Sequence, residues 1–161
     1  MLYFAYGSNL DPDQMRERCP GSHVVGLAEL PDHRLTFPLY SERWGGGAAG
    51  VARAHGSTVW GALYELSETD LAALDRFEGW KGAGDHHNLY DRELVTVALT
   101  RADDGSVPRR VRAYTYFART LNPTPPSRRY LDAVLKGARH HRLPSEYIDG
   151  LATIEVASEK A

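Results

Sequence analysis

Two short stretches carry residue types whose spacing suits chemistry. In the first, the apolar run Leu2-Tyr3-Phe4-Ala5-Tyr6 breaks at Gly7-Ser8-Asn9-Leu10. A helix start follows at once, with Asp11 as N-cap, Pro12 at the first helical position and Gln14 three residues after the cap. A tight turn between a strand and a helix can aim backbone N–H groups, the Ser8 hydroxyl and the Asn9 amide at a small anion or a carbonyl oxygen. The plainer reading leaves Gly7 only to bend the chain and Asn9 only to satisfy the turn; on these residues alone the two weigh equally. In the second stretch, Glu78 stands one residue past a helix predicted to end at Phe77, beside Gly79-Trp80. Apolar neighbours would raise its proton affinity towards neutrality, as a general base at neutral pH requires. The competing reading is a surface acid at a helix C-terminus, where negative charge is mildly unfavourable.

Other chemistries lack a partner or a context. Gly45-Gly46-Gly47-Ala48-Ala49-Gly50 satisfies the spacing G-x-G-x-x-G, but no strand feeds it cleanly and a strand, not a helix, follows. No G-x-x-x-x-G-K-[ST] occurs, which removes a P-loop. The pairs His86-His87 and His140-His141 would diverge on a strand or a helix, and no H-E-x-x-H or C-x-x-C accompanies them. Solvated histidines, not metal ligands, are expected. Ser8 follows a glycine directly and lacks both the G-x-S-x-G pattern and a base. Cys19 sits on a helix end without an evident His partner, and reads as structural.

The elements that must position Gly7–Leu10 and Glu78 belong to a chain of ordinary composition. Its 161 residues suffice for one domain with a real core, and 42% hydrophobic with 25% charged residues is typical of globular proteins. A formal net charge of −2 makes no electrostatic case for nucleic acid or an anionic membrane. The single cysteine excludes an internal disulfide. The start lacks the basic region of a signal peptide, and no apolar stretch reaches membrane-spanning length. The expectation is a cytoplasmic protein.

Along the chain, Asp11 to Arg18 is a helix stopped by Cys19-Pro20-Gly21, and His23 to Phe37 is extended with a turn or bulge at Pro31-Asp32. Residues 40–50 read as loop, Val51 to Ala54 as a short strand, His55-Gly56-Ser57 as a turn and Thr58 to Leu66 as a central strand. Ser67 caps a helix whose one face holds Leu71, Leu74 and Phe77. Residues 79–88 look like a mobile connection or lid. Tyr90 to Arg101 and Val111 to Phe117 form a hairpin about Asp103-Asp104-Gly105-Ser106. Ser127 caps a helix to about His141 with Tyr130, Leu131, Val134, Leu135 and Ala138 on its apolar face, and Pro144-Ser145-Glu146 starts a last short one. Residues 1–156 form a single domain and 157–161 a frayed tail. The fold class is α+β, a small curled mixed sheet or β-barrel, largely antiparallel, with flanking helices.

Tyr6-Gly7-Ser8-Asn9-Leu10 together with Leu74-Asp75-Arg76-Phe77-Glu78-Gly79 resembles the γ-glutamyl cyclotransferase family, whose superfamily includes the AIG2-like proteins. Pro125-Pro126-Ser127, Tyr130, Gly137-Ala138 and Leu143-Pro144-Ser145-Glu146-Tyr147 resemble the C-terminal segment of the γ-glutamylcyclotransferases proper. The resemblance implies that Tyr6, Gly7, Ser8, Asn9 and Leu10 form the substrate-binding loop and that Glu78 is the catalytic acid/base. It implies pocket-lining roles for Tyr114 and Tyr90. Asn9 points away from the glutathione-acting branch, which usually shows Y-G-S-L.

The activity so implied is intramolecular. The free α-amine of a γ-glutamyl compound attacks its own side-chain amide carbonyl, releasing 5-oxoproline and an amino acid or amine, with no cofactor and no metal. The partner is a small-molecule γ-glutamyl substrate, with no nucleic acid and no membrane, and the protein is a monomer or a homodimer. The alternative is a non-catalytic AIG2-like small-molecule binding protein. Residues 44–50 and 80–89 look longer than in a minimal member of the family, which leaves the identity of the released group open.

Overall fold

In a computed structural model, residues 1–106, 108–119 and 122–158 are described. Five strands and four α-helices are seen among them: β1 (Leu2–Ala5), α1 (Pro12–Arg18), β2 (His23–Ser41), β3 (Gly46–Glu65), α2 (Glu68–Glu78), β4 (Tyr90–Ala102), β5 (Arg109–Ala118), α3 (Arg128–His140) and α4 (Ser145–Ala152). The strands close into a barrel in the order β1-β3-β2-β4-β5. Four pairings are or include antiparallel ladders, and closure is by a parallel contact of β5 with β1 at Tyr3 and Tyr114. The buried Thr115 hydroxyl donates to the Phe4 carbonyl at 3.0 Å and reinforces that seam. The α+β barrel with flanking helices agrees with the sequence reading.

Two long strands replace what the sequence divides into four pieces. β2 passes through Pro31-Asp32 on a register shift, a position where a strand tolerates proline. β3 passes through Gly56, whose N–H donates to Asp32 Oδ1 at 3.0 Å. The glycine-rich run is therefore the start of a strand, not a loop. A Cβ on Gly47 would lie 1.9 Å from the Thr124 carbonyl oxygen and one on Gly46 2.5 Å from the Ser127 nitrogen. Glycine is needed there so that the proline-rich segment before α3 can lie directly on the strand, where Gly47 N–H bonds to the Pro125 carbonyl at 2.9 Å.

The helix caps form as the sequence predicts, with one exception. Ser67 Oγ accepts from Asp70 N–H and Ser127 Oγ from Tyr130 N–H, each at 3.1 Å. Asp11 Oδ1 accepts from Asp13 N–H at 3.0 Å, but Gln14 does not reach back to complete a capping box; its amide turns into the site described below. α2 ends one residue later than expected, at Glu78. Gly79 is left-handed (φ 70°) and Trp80 N–H returns to the Asp75 carbonyl at 2.9 Å, a Schellman-type closure. On α2, Leu71 and Leu74 are buried as expected, whereas Phe77 is 52% exposed.

Residues 79–88, expected as a mobile connection or lid, form a tied loop. Leu89 N–H bonds to the Gly79 carbonyl at 3.0 Å. The buried Asn88 side chain accepts from Lys81 N–H at 2.6 Å and donates to Gly82 O at 2.8 Å and Asp91 Oδ1 at 3.0 Å. One amide thus substitutes for the backbone pairing that the loop lacks. The tail begins tied as well, since Ala157 N–H bonds to the Pro126 carbonyl at 2.8 Å; residues 159–161 lie outside the described residues. No helix among the described residues is long and apolar enough to cross a membrane.

One core runs from the barrel to the helices. Phe4, Leu63, Val97 and Leu99 of the strands join Leu10, Leu74, Leu131 and Val134, all nearly without exposure. Each such side chain contributes about 1.5–3 kcal/mol by leaving water. His141, expected among solvated histidines, is part of this interior: its Nε2 lies 2.9 Å from the Tyr64 hydroxyl and 3.0 Å from the Leu10 carbonyl oxygen. Burial, aided by His140, pushes its pKa down to about 4.

The unfolded chain therefore binds a proton at His141 where the folded chain does not. Stability should fall as pH drops from about 6.5 towards 4, by on the order of 2 kcal/mol in urea unfolding. His141→Gln should flatten the upper part of that slope, above the range where carboxylates titrate. An unchanged slope in the variant would remove His141 as its source.

Candidate active site

A cavity of about 310 Å³ opens where β1 ends, between the turn after it, the C-terminus of α2, the start of β4 and the β2–β3 hairpin. Of the candidate residues named above, Tyr6, Gly7, Ser8, Asn9, Glu78 and Tyr90 line it. Leu10 and Tyr114 do not. Leu10 is wholly buried behind the turn and anchors it to α3 and His141. Tyr114 lies under the Arg92 guanidinium, 4.6 Å from its ring centroid, and Tyr116 lines the cavity in its place.

The parallel closure explains that displacement. Tyr3 of β1 pairs with Tyr114, so a residue two positions further along β5 lies nearer the C-terminal end of β1, where the cavity opens. Tyr116 is fixed in turn by Asp75, which accepts from its hydroxyl at 2.7 Å and pairs with Arg92 at 2.6 Å.

The turn over Ser8–Leu10 is a single 3-10 turn whose polar side chains are turned inward. Asn9 Oδ1 accepts from Gln14 Nε2 at 2.8 Å and from Arg18 Nη1 at 3.1 Å. With two donors on its oxygen, the amide must present its NH₂ to the other side. It donates there to the Tyr3 hydroxyl at 2.9 Å and to Glu78 Oε1 at 3.1 Å. All four hydrogen-bonding sites of Asn9 are engaged by protein, so its side chain orients Glu78 and has no site left for a ligand. Ser8 Oγ accepts from the same Gln14 amide at 2.8 Å. What the turn still offers a ligand is its backbone and the Ser8 O–H donor.

Glu78 ends α2 with its carboxyl directed at this network. Burial raises its proton affinity; Arg18 and the Asn9 amide oppose that, and Asp75, one turn back on α2, adds to it. Arg18 Nη1 stands 3.9 Å from Glu78 Oε1. Around the carboxyl, burial holds the hydroxyls of Tyr3, Tyr6, Tyr90, Tyr116 and Tyr130 protonated above the usual phenol range. Near neutral pH these tyrosines are neutral dipoles, which leaves Glu78 as the group able to move a proton. Their hydroxyls also brace the walls: Tyr6 donates to the Tyr116 carbonyl, Tyr90 to the Ala49 carbonyl at 2.8 Å, and Tyr130 accepts from Ala49 N–H at 2.9 Å.

Gln14, Arg18, Tyr3, Tyr116 and Tyr130 are the site residues that sequence reasoning misses. Gln14 and Arg18 left a signal, because polar residues four apart share one face of α1, directly after the turn they serve. Arg18 is only 9% exposed, and its Nε has no hydrogen-bond partner. An unpaired buried N–H costs about 1–3 kcal/mol, so packing alone does not account for an arginine in that place.

The remaining candidates divide clearly. Cys19 is buried, its thiol 3.5 Å from the Asp70 carbonyl and pushed up to about 11 by burial, which suits a structural residue. His86 and His87 do not diverge; in their loop the rings lie 4.0 Å apart and His87 Nδ1 is 3.1 Å from Asp85 Oδ1. This exposed group is separate from the cavity.

The family model described as "Gamma-glutamyl cyclotransferase, AIG2-like" matches residues 3–142. Proteins named gamma-glutamylcyclotransferase from Mus musculus and Bos taurus are 30% and 32% identical to the chain over 158 residues, which is 96% of this chain and 78% of each relative. A solved structure named gamma-glutamyl cyclotransferase superposes with a TM-score of 0.87 at 29% identity, covering 100% of this chain and 91% of that one. The chain therefore belongs to the γ-glutamyl cyclotransferase, AIG2-like family.

Proposed function

We propose that this protein is a γ-glutamylcyclotransferase that converts a γ-glutamyl amino acid or amine into 5-oxoproline and the free amino acid or amine. The observation that carries this reading is the Glu78 carboxyl in the cavity wall, oriented by Asn9 and with its proton affinity raised by burial. The substrate's α-ammonium is protonated at that pH and cannot attack. Glu78 takes one proton from it, and the freed amine adds to the side-chain amide carbonyl to close a five-membered ring. Collapse of the tetrahedral intermediate breaks the bond to the leaving nitrogen. Glu78 returns its proton to that nitrogen, and the proton shed by the new ring amide completes the departing ammonium. The carboxylate ends as it began.

The turn supplies the other requirement. Its backbone N–H groups at Gly7 to Asn9 hold the substrate carboxylate or the developing oxyanion, which needs donors already in place. A chain held curled between the turn and Glu78 gains the proximity of an intramolecular reaction, with effective molarities of about 10⁵ M or more. Ser8, whose hydroxyl meets the donor amide of Gln14 and not a base, needs no nucleophilic part.

Incubation with a panel of γ-glutamyl amino acids and γ-glutamyl amines, assayed for 5-oxoproline, tests the reading. Turnover of at least one is expected. Saturable binding without product from any member would favour the non-catalytic reading instead.

A further inference from the structure

We propose that Arg18 is a positioning residue for this reaction: its buried guanidinium keeps Glu78 ionised between turnovers and fixes the Asn9 amide that orients it. The inference rests on Glu78 being the group that accepts the proton. Three observations on α1 and α2 carry it. Arg18 Nη1 donates to Asn9 Oδ1 at 3.1 Å, which, with Gln14, forces the Asn9 NH₂ towards Glu78. The same nitrogen stands 3.9 Å from Glu78 Oε1, near enough for strong attraction in a poorly solvated site yet outside hydrogen-bond distance. And Phe77, the residue before Glu78, lies against the guanidinium, with its ring centroid 4.7 Å from Arg18 Cζ, so the end of α2 meets the arginine through two successive side chains.

The 3.9 Å separation matters for the chemistry. A direct bidentate pair would engage both carboxylate oxygens and hold the acid too strongly ionised to accept a proton. No cation at all would leave a buried carboxyl neutral and unable to act as a base. Arginine is suited to this intermediate role because its planar fork reaches Asn9 Oδ1 while its charge stands clear of the carboxyl.

The other groups facing Glu78 do not provide a substitute. Asp75, on the same helix, is a like charge and opposes ionisation. Tyr3 on β1 and Tyr6 just beyond it stay protonated, as do Tyr90 on β4, Tyr116 on β5 and Tyr130 on α3. Arg43 of the β2–β3 hairpin lines the same cavity, but its charge is felt at Arg18, which it repels.

The experiment compares Arg18→Gln, which removes the charge, with Arg18→Lys, which retains it. Two readouts are taken: the pH profile of kcat/KM and the titration of the ¹³C-labelled Glu78 carboxyl by NMR. In the Gln variant the acid limb should move to higher pH. On the acid side kcat/KM should fall about tenfold or more, mainly through kcat, and recover as the pH is raised. The Glu78 titration should move the same way. The Lys variant should titrate close to wild type and restore most of the rate. A folded Gln variant whose Glu78 titration is unmoved overturns the proposal, as does a loss of rate that neither alkali nor lysine relieves. If the Gln variant does not fold, the Lys variant decides, because a Glu78 titration displaced upward despite the retained charge overturns it equally. The NMR titration needs no turnover. A wild-type protein without activity would therefore defeat the proposed function and leave this test standing.

Discussion

Glu78→Gln is expected to lower kcat by about 10²–10⁴-fold while the protein stays folded and still binds substrate, because proton transfer by a positioned side chain is usually of that size. Glutamine fills the same volume and keeps an oxygen for the Asn9 NH₂, which in the native site donates to Glu78 Oε1 at 3.1 Å. It cannot exchange a proton with an amine. The stability of the variant is informative too. Burial raises the proton affinity of Glu78 in the folded chain, so the folded state disfavours the ionised form. A group raised in this way stabilises fully below its unfolded pKa and loses that contribution as pH rises through its folded pKa. At neutral pH the ionised carboxyl therefore costs stability, and the neutral amide should leave Tm equal or higher, offset in part by the cation left alone at Arg18. A fall in rate with Tm maintained, read by 5-oxoproline release and thermal melting, is the result that identifies a catalytic group. An intact Gln variant with wild-type turnover would remove Glu78 from the mechanism.

The second large effect lies outside the cavity. Gly137 on α3 packs against the turn so closely that a Cβ there would lie 2.2 Å from the Leu10 carbonyl carbon and 2.3 Å from its oxygen. Two terms oppose each other in Gly137→Ala. Alanine is the better helix former by about 1 kcal/mol. Overpacking costs about 1–3 kcal/mol, and here the obstacle is backbone that cannot rotate aside. The clash should win, with a net loss of up to about 2 kcal/mol in urea unfolding. Leu10 closes the turn that carries Ser8 and Asn9, so the displacement should also reach Glu78 through Asn9 and lower kcat. Gly150→Ala is the internal control. It is a helix glycine in α4 with nothing within 4 Å of the added Cβ, and should be neutral or stabilising by up to about 1 kcal/mol. Equal behaviour of the two variants would show that α3 does not set the turn.

Much of this protein was legible in its sequence because the signals were local. Asp11-Pro12, Ser67 and Ser127 start helices through bonds made within one turn of the chain, and Gly79 stops one in the same way. The apolar face of α3 and the alternation of β4 needed only periodicity. Glu78 could be singled out because a charge at the wrong end of a helix is a local anomaly.

What only the tertiary structure decided are matters of partners distant in sequence. Glycines 46 and 47 read as loop until the segment of Thr124 to Ser127 lies on them; glycine is required there by the close approach of backbone some 80 residues away. Parallel closure of β5 on β1 brought Tyr116, not Tyr114, to the cavity, because strand registry is a long-range choice that a single strand does not encode. Asn9 changed from a ligand contact to the residue that aims Glu78 once Gln14 and Arg18 were found on its oxygen. The sequence by itself determined that a turn and an acid were present; the barrel determined which atoms of each remain free to meet a substrate.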